Sequence, residues 1–319
     1  MKTLVFLEHH EGQIQKGALG VLSKAASLGG QAAGVVVGSG ARDPVAQAAA
    51  YGAATVYVAD APELAAPLPQ PRVDVLEQVV REGGFDAVFF AQSVLAADIA
   101  SGLAARLDAG LNWDLVDIRE EDGTLTGLRP ALGDSVYVDA GWRSEPRLAL
   151  FRSGSFEAVE TGGAGEVAEV VPELRSHSTI ATLAAHEIEE QAGPSIEDAD
   201  VIVAGGRGLG GPEGFAQLEE LASALGGAVA TTRAVVDAGW YPYATQVGQT
   251  GKAISPKLYI GCGISGAIQH KVGMQSSGTI VAINKDANAP IFEFSDFGVV
   301  GDLNQIVPKL TELVRARKA

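Results

Sequence analysis

The stretch that decides the fold runs Val201-Ile202-Val203-Ala204-Gly205-Gly206-Arg207-Gly208-Leu209-Gly210-Gly211-Pro212-Glu213. Four apolar residues, Val201–Ala204, read as a strand; glycines follow at 206, 208 and 211, and Glu213–Leu225 then has helical spacing. A strand, a G-x-G-x-x-G turn and a helix in that order aim backbone N–H groups and a helix N-terminus at a phosphate. A plain tight turn remains the alternative at this point. Further along, Gly261-Cys262-Gly263-Ile264-Ser265-Gly266 repeats the spacing directly after the strand-like Lys257–Ile260. Ala267-Ile268-Gln269-His270 reads as the first turn of the next helix. Two such turns in one segment suit a diphosphate or an extended dinucleotide.

Simple NAD binding fits less well. A ribose-binding acid is expected at the end of the next strand, and that end reads Ala230-Thr231-Thr232-Arg233. The arginine there suits NADP, or another part of a cofactor lying over the strand; Asp237 falls past the strand end. Between the turns, Gln246-Val247-Gly248-Gln249-Thr250-Gly251-Lys252 offers amides and hydroxyls that both donate and accept. Such groups match the alternating N–C=O edge of a flavin, or belong to an ordinary surface loop.

Outward from this core, Ala228–Ala230 and Thr279–Ile283 read as further strands and Leu303–Val314 as an amphipathic closing helix. Upstream, Glu187–Ser195 is charged and carries Gly193-Pro194, which suits a linker. Before it, strands Leu4–Leu7, Gln31–Val37, Thr55–Val58 and Ala87–Ala91 alternate with helices Ile14–Leu28, Pro44–Tyr51, Val73–Arg81 and Ala96–Ala109. That alternation predicts a parallel sheet with helical crossovers. Residues 111–171 break the rhythm; β-prone Ser135–Val138 and Leu148–Phe151 are expected to extend the sheet with antiparallel strands or to form a small lobe.

The chain of 319 residues has a net charge of −16, a single cysteine and 40 glycines, against a usual glycine content of ~7%. Residues 1–193 carry 27 acids against 13 bases and residues 194–319 carry 12 against 10, so −14 of the charge lies in the first part. That balance opposes nucleic-acid binding. One cysteine excludes an intrachain disulfide and a cysteine-ligated metal centre, so electrons, if handled, ride on an organic cofactor. Four apolar residues before Glu8 are too few for a signal peptide, and no segment reaches the ~20 of a membrane span. A cytoplasmic protein is expected.

The second domain resembles the electron-transfer flavoprotein alpha subunit from about Val201 to Val314. Gly206-Arg207-Gly208-Leu209, Thr232-Arg233-Ala234-Val235-Val236-Asp237-Ala238-Gly239, Gln246–Lys252, Ser265–His270 and Val281-Ala282-Ile283-Asn284-Lys285-Asp286 carry the likeness in order. The first domain matches mainly in its opening strand and rhythm. The resemblance implies an α/β fold: an N-terminal open α/β sheet domain, residues 1–190, that docks a partner subunit, then a C-terminal Rossmann-like parallel-sheet FAD-binding domain, residues 195–319. It implies a heterodimer with a beta subunit, one FAD, donors among dehydrogenases such as the acyl-CoA enzymes of fatty acid β-oxidation, and a quinone-linked oxidoreductase as acceptor. Arg207 resembles the arginine over the flavin's reactive edge, and Thr232 with Arg233 the pair beside the isoalloxazine. Gln246, Val247, Gly248, Gln249 and Thr250 resemble the loop whose hydroxyl, here that of Thr250, reaches flavin N5. Ser265, Gly266, Ala267, Ile268, Gln269 and His270 resemble the segment that holds the diphosphate and sets the histidine near the pyrimidine carbonyl. Asn284 and Asp302 resemble polar residues at the adenosine end. Gly210-Gly211-Pro212 and Cys262 depart from the family's pattern, which bears on local packing alone.

An electron carrier needs positive charge near N1 and C2=O, and Arg233 and His270 are the expected supply. No catalytic acid, base or metal is expected. The alternatives are a freestanding NADP- or FAD-dependent oxidoreductase and a redox-inert nucleotide-binding module. His9-His10-Glu11 points to opposite sides of a strand and chelates poorly; His177 and His186 lack companions at ligand spacing. Ser265 with His270 lacks the G-x-S-x-G elbow of a hydrolase, and Glu120-Glu121-Asp122 before Gly123 reads as an exposed turn.

Overall fold

Strand Lys2–Phe6 divides its side chains between two cores: Val5 packs on one face of its sheet, Leu4 and Phe6 on the other. A strand buried on both faces belongs inside a parallel sheet covered by helices, and that is its place in the computed structural model. The structure describes residues 1–10, 12–132, 134–185, 195–197 and 199–318. Contacts divide the chain into two units, Met1–Ile188 and Glu189–Ala319. The charged linker read from Glu187 lies outside the described residues except for Ser195, as do Glu11 and His186.

In the first unit seven strands run parallel in the spatial order Glu166–Glu169, Thr55–Asp60, Gln31–Gly38, Lys2–Phe6, Ala87–Ala91, Arg147–Phe151 and Leu111–Leu115. Helices Lys16–Ser27, Pro69–Gly83 and Val94–Leu107 cover its faces. Residues 111–171 do form a small lobe, the antiparallel sheet Asp117–Glu121, Thr124–Ala131 and Val136–Ala140. The main sheet gains no antiparallel strand from this region. Arg147–Phe151 inserts parallel beside Ala87–Ala91, because its Leu148, Ala149, Leu150 and Phe151 are buried and need both covered faces. Glu120–Gly123 is the hairpin turn of the lobe: Asp122 and Gly123 take positive φ, and the Glu120 carboxylate accepts the Gly123 amide at 2.6 Å.

The second unit builds six parallel strands, here β1 Val201–Gly205, β2 Ala228–Thr232, β3 Gln246–Val247, β4 Leu258–Cys262, β5 Thr279–Asn284 and β6 Phe297–Val300. Their spatial order is β3-β2-β1-β4-β5-β6. This is the Rossmann order, whose switch point between β1 and β4 opens a crevice at the carboxyl ends of the strands. Ile202, Ala204, Ala230, Tyr259 and Ala282 pack on one face; Val203, Ile260 and Cys262 pack on the other under helices Phe215–Leu225 and Leu303–Lys318. Among the described residues no helix is long and apolar enough to cross a membrane.

Candidate functional site

The two glycine turns meet backbone to backbone at the switch point. Gly206 N donates to Cys262 O and Gly208 N to Gly263 O, each at 3.0 Å. A Cβ on Gly206 would sit 2.5 Å from Gly263 O, and one on Gly208 2.6 Å from Gly263 Cα. Both positions are glycine because the opposite turn fills the space of a side chain.

This contact sets one wall of a cleft of about 630 Å3 across the carboxyl ends of β1 to β5, a size that suits a nucleotide cofactor. Of the residues expected at the site, Arg207, Thr232, Arg233, Val247, Gly248, Gln249, Thr250, Ser265, Ala267, Gln269, His270 and Asn284 line it. Gln246, Gly266, Ile268 and Asp302 do not. Gln246 is buried beneath the loop, its Nε2 donating to Thr250 O at 2.9 Å and Thr250 Oγ1 at 3.1 Å. Gly266 serves the turn: its φ is +84°, and a Cβ there would meet the Ile291 backbone nitrogen at 2.3 Å. Ile268 points to solvent, and the Asp302 carboxylate accepts the Asn304 amide at the start of the last helix at 3.0 Å. Asn284 spends both ends of its side chain on backbone, giving Nδ2 to Ile264 O at 2.9 Å and taking the Asp286 amide at 3.0 Å.

The second turn carries the strongest chemical signal. Among the described residues no acceptor takes the backbone amides of Ile264, Ser265, Gly266, Ala267, Ile268 or Gln269. Four of these residues, Ile264, Ser265, Ala267 and Gln269, line the cleft, and backbone N–H groups without an internal acceptor at a turn before a helix suit an anion. The polar loop faces this turn: Gln249 N donates to Gln269 O at 2.7 Å and Gly248 N to Lys252 O at 3.1 Å. Because Gln246 already donates to Thr250 Oγ1, that hydroxyl keeps its own hydrogen for an acceptor in the cleft.

Charge in the cleft is mixed. Arg207 and Arg233 line it with Asp237 and Asp286, and Arg233 Nε donates to Asp237 Oδ2 at 3.2 Å. Sequence reasoning set Asp237 aside and missed Asp286, Ala289 and Pro290. The i,i+4 spacing of Arg233 and Asp237 was the available signal for the first; the others come together only through the fold of the loop after β5.

His270 corrects an expectation. Its Nδ1 lies 3.0 Å from Val247 O and its Nε2 2.6 Å from the Tyr259 hydroxyl, and burial depresses its pKa to about 4. The ring is neutral at pH 7, so it supplies no positive charge to the cleft; the guanidiniums do. An unfolded ring takes up a proton below pH ~6.5 and the folded one only near 4. This site therefore favours the fold fully above pH ~6.5 and loses about 3 kcal/mol as pH falls toward 4. Urea unfolding at pH 7 and pH 4.5 is expected to show that loss, reduced in His270→Gln; an equal loss in both proteins would contradict it. Burial also raises the Cys262 thiol to about 12, leaving it an inert core residue. His9 and His10 pair with Ile14 and Gln13 in a short bridge, and among the described residues no cluster of three His, Cys, Asp or Glu side chains stands ready for a metal.

Comparison with known proteins agrees along the chain. The electron transfer flavoprotein domain matches residues 3–175, and the electron transfer flavoprotein FAD-binding domain matches residues 195–275. The electron transfer flavoprotein subunit alpha of Mycobacterium leprae is 42% identical over 319 residues, covering 99% of each chain. That of Mycobacterium tuberculosis is 42% identical over 318 residues with the same coverage. Protein FixB of Clostridium saccharobutylicum is 38% identical over 314 residues, covering 96% of this chain and 94% of its own. The chain thus belongs to the electron transfer flavoprotein alpha subunit family, and its second unit carries that family's FAD-binding domain.

Proposed function

We propose that FAD lies in this cleft with its diphosphate on the amides of Ile264 to Gln269 and its isoalloxazine against Thr232, Arg233 and the loop Val247 to Thr250. In this reading the chain pairs with a beta subunit in the cytoplasm, takes electrons from a dehydrogenase of the acyl-CoA type and delivers them to a quinone-linked oxidoreductase. The run of amides from Ile264 to Gln269 without an acceptor among the described residues, beside a cleft that Arg207 and Arg233 also line, is the observation that carries it. The residues present suit the cofactor: N–H donors for the diphosphate, and hydroxyl and amide groups for the flavin edge.

Bound FAD supplies the one- and two-electron chemistry. The protein's part is electrostatic and steric. The amides offer donors to the diphosphate, Arg207 and Arg233 bring guanidiniums to a cleft they share with Asp237 and Asp286, and the loop docked on Gln269 O lines it as well. Thr250 donates a hydrogen bond at flavin N5. Replacing it with valine removes the donor and keeps the shape, so Thr250→Val is expected to bind FAD and to shift both reduction potentials. Potentials identical to wild type would remove Thr250 from the site.

Purification with the beta subunit tests the function. A yellow heterodimer with flavin absorption bands, reduced by an acyl-CoA dehydrogenase and its substrate, is the expected result. Colourless protein protected by NADPH would overturn it in favour of a freestanding oxidoreductase, and bound AMP or ADP without flavin in favour of a redox-inert module.

A further inference from the structure

Tyr259 is fully buried on β4 among Ile202, Ala204, Ile280 and Ala282. A phenol hydroxyl in such a core needs a partner, and among the described residues it has His270 Nε2, at 2.6 Å. Across the ring, Nδ1 lies 3.0 Å from Val247 O. A carbonyl oxygen only accepts, so Nδ1 carries the ring hydrogen. Nε2 is then the bare nitrogen, and the tyrosine is the donor. Each role in the chain from Tyr259 through His270 to Val247 is fixed by its neighbour. Protonating Nε2 would turn the phenol into an acceptor and leave its hydrogen without a partner in the apolar core.

We propose that Tyr259 is a positioning residue of the flavin site: its hydroxyl, donating to the bare Nε2 of His270, holds the ring in place and, through Nδ1–H, pins Val247 and the polar loop to the floor of the cleft. The proposal rests on the reading that FAD occupies this cleft. Val247 begins the loop that docks on Gln269 O, so one buried hydrogen-bond chain ties β4, the segment at Gln269-His270 and the loop after β3 into one wall. The other ionisable groups around the ring leave this assignment intact. Cys262 is a buried thiol on the same strand, Lys271 lies over the Phe294 ring, and Arg207, Arg233, Asp237 and Asp286 stand on the cleft walls.

Tyr259→Phe deletes the donor and keeps the ring. In the heterodimer freed of FAD, 15N NMR of the His270 ring is expected to show Nδ1–H and a bare Nε2 from pH 5.5 to 8. In Tyr259→Phe the ring stays buried and keeps Nδ1–H on Val247 O while Nε2 loses its donor. The Nε2 signal is therefore expected to move to that of a bare nitrogen without a hydrogen bond, and the ring's titration to rise above wild type while staying below the ordinary value. With FAD added, the first reduction potential of the variant is expected to rise above wild type as pH falls through that titration. Tyr259→Phe is expected to shift nothing further in a His270→Gln background. A His270 Nε2 signal in Tyr259→Phe unmoved from wild type across the pH range would overturn the proposal, as would an undiminished potential shift in the double variant. Should Tyr259→Phe fail to fold, 3,5-difluorotyrosine at 259 strengthens the same donor and must move the Nε2 signal; an unmoved signal overturns the proposal equally. If FAD binds stoichiometrically without disturbing the His270 signals of either protein, the cleft reading fails, whereas the FAD-free spectra still decide the tyrosine's role.

Discussion

Gly208→Val is expected to weaken FAD binding by roughly 100-fold or more, about 2.7 kcal/mol. No side chain receives the new group. Its Cβ would lie 2.6 Å from Gly263 Cα and 2.7 Å from Gly263 O, and backbone cannot rotate out of the way. The two turns must part, breaking the Gly208 N to Gly263 O bond and moving the amides of Ile264 to Gln269 with the second turn. Overpacking of this kind costs ~1–3 kcal/mol in stability by itself. Gly210→Ala is the control: nothing lies within 4 Å of its Cβ, and it bears only the strain of φ +86°, about 1–2 kcal/mol. Isothermal titration of FAD into the apo-heterodimers measures the pair. Equal affinity of Gly208→Val and wild type would show that the turn contact is not what shapes the site.

The second large effect is on redox. Arg233→Ala is expected to lower the first reduction potential, because an electron added to the flavin loses a positive neighbour. One charge at 4 Å is worth ~4 kcal/mol at an effective dielectric of 20 and ~1 kcal/mol in water. At 59 mV per 1.4 kcal/mol those limits are about 170 and 40 mV. The Arg233 side chain is 67% exposed and shares its charge with Asp237, which places the expected drop toward the lower limit. Asp237→Asn frees the guanidinium and removes a carboxylate from the cleft, so its shift is upward and smaller. Spectroelectrochemical titration of the three proteins decides it. Unchanged potentials in Arg233→Ala would remove the arginine from the flavin's surroundings.

The second unit was legible where a local signal marks it. Apolar strands ending in Gly206 and Gly261 announce turns at the carboxyl ends of a parallel sheet, and the turns are there. What glycine does at 206 and 208 was not legible: the spacing suggests an approach to phosphate, whereas their Cβ positions are filled by the opposite turn, about 55 residues away in sequence. β3 has two residues and β6 is exposed along its length, so neither leaves a periodic pattern. In the first unit, Leu148–Phe151 was readable as a strand. Its parallel place between Ala87–Ala91 and Leu111–Leu115 was not, because register across a sheet is a non-local property. At the site, residues on turns were readable as a set, and their protonation was not. His270 is neutral because the fold buries it, and its bond to Tyr259, eleven residues earlier on a strand, is one that no sequence pattern displays. Asp302 matched the adenosine end by resemblance; in the structure it lies outside the cleft lining and its Oδ1 accepts the Asn304 amide.

Hydrogen exchange of the heterodimer with and without FAD tests the central claim most directly. Ile264 to Gln269 offers six backbone amides with no acceptor among the described residues. If the diphosphate rests there, FAD must slow exchange at those positions, and at Gly248 to Thr250 to a smaller degree. Slowed exchange confined to other segments, with Ile264 to Gln269 exchanging alike in both states, would contradict the account.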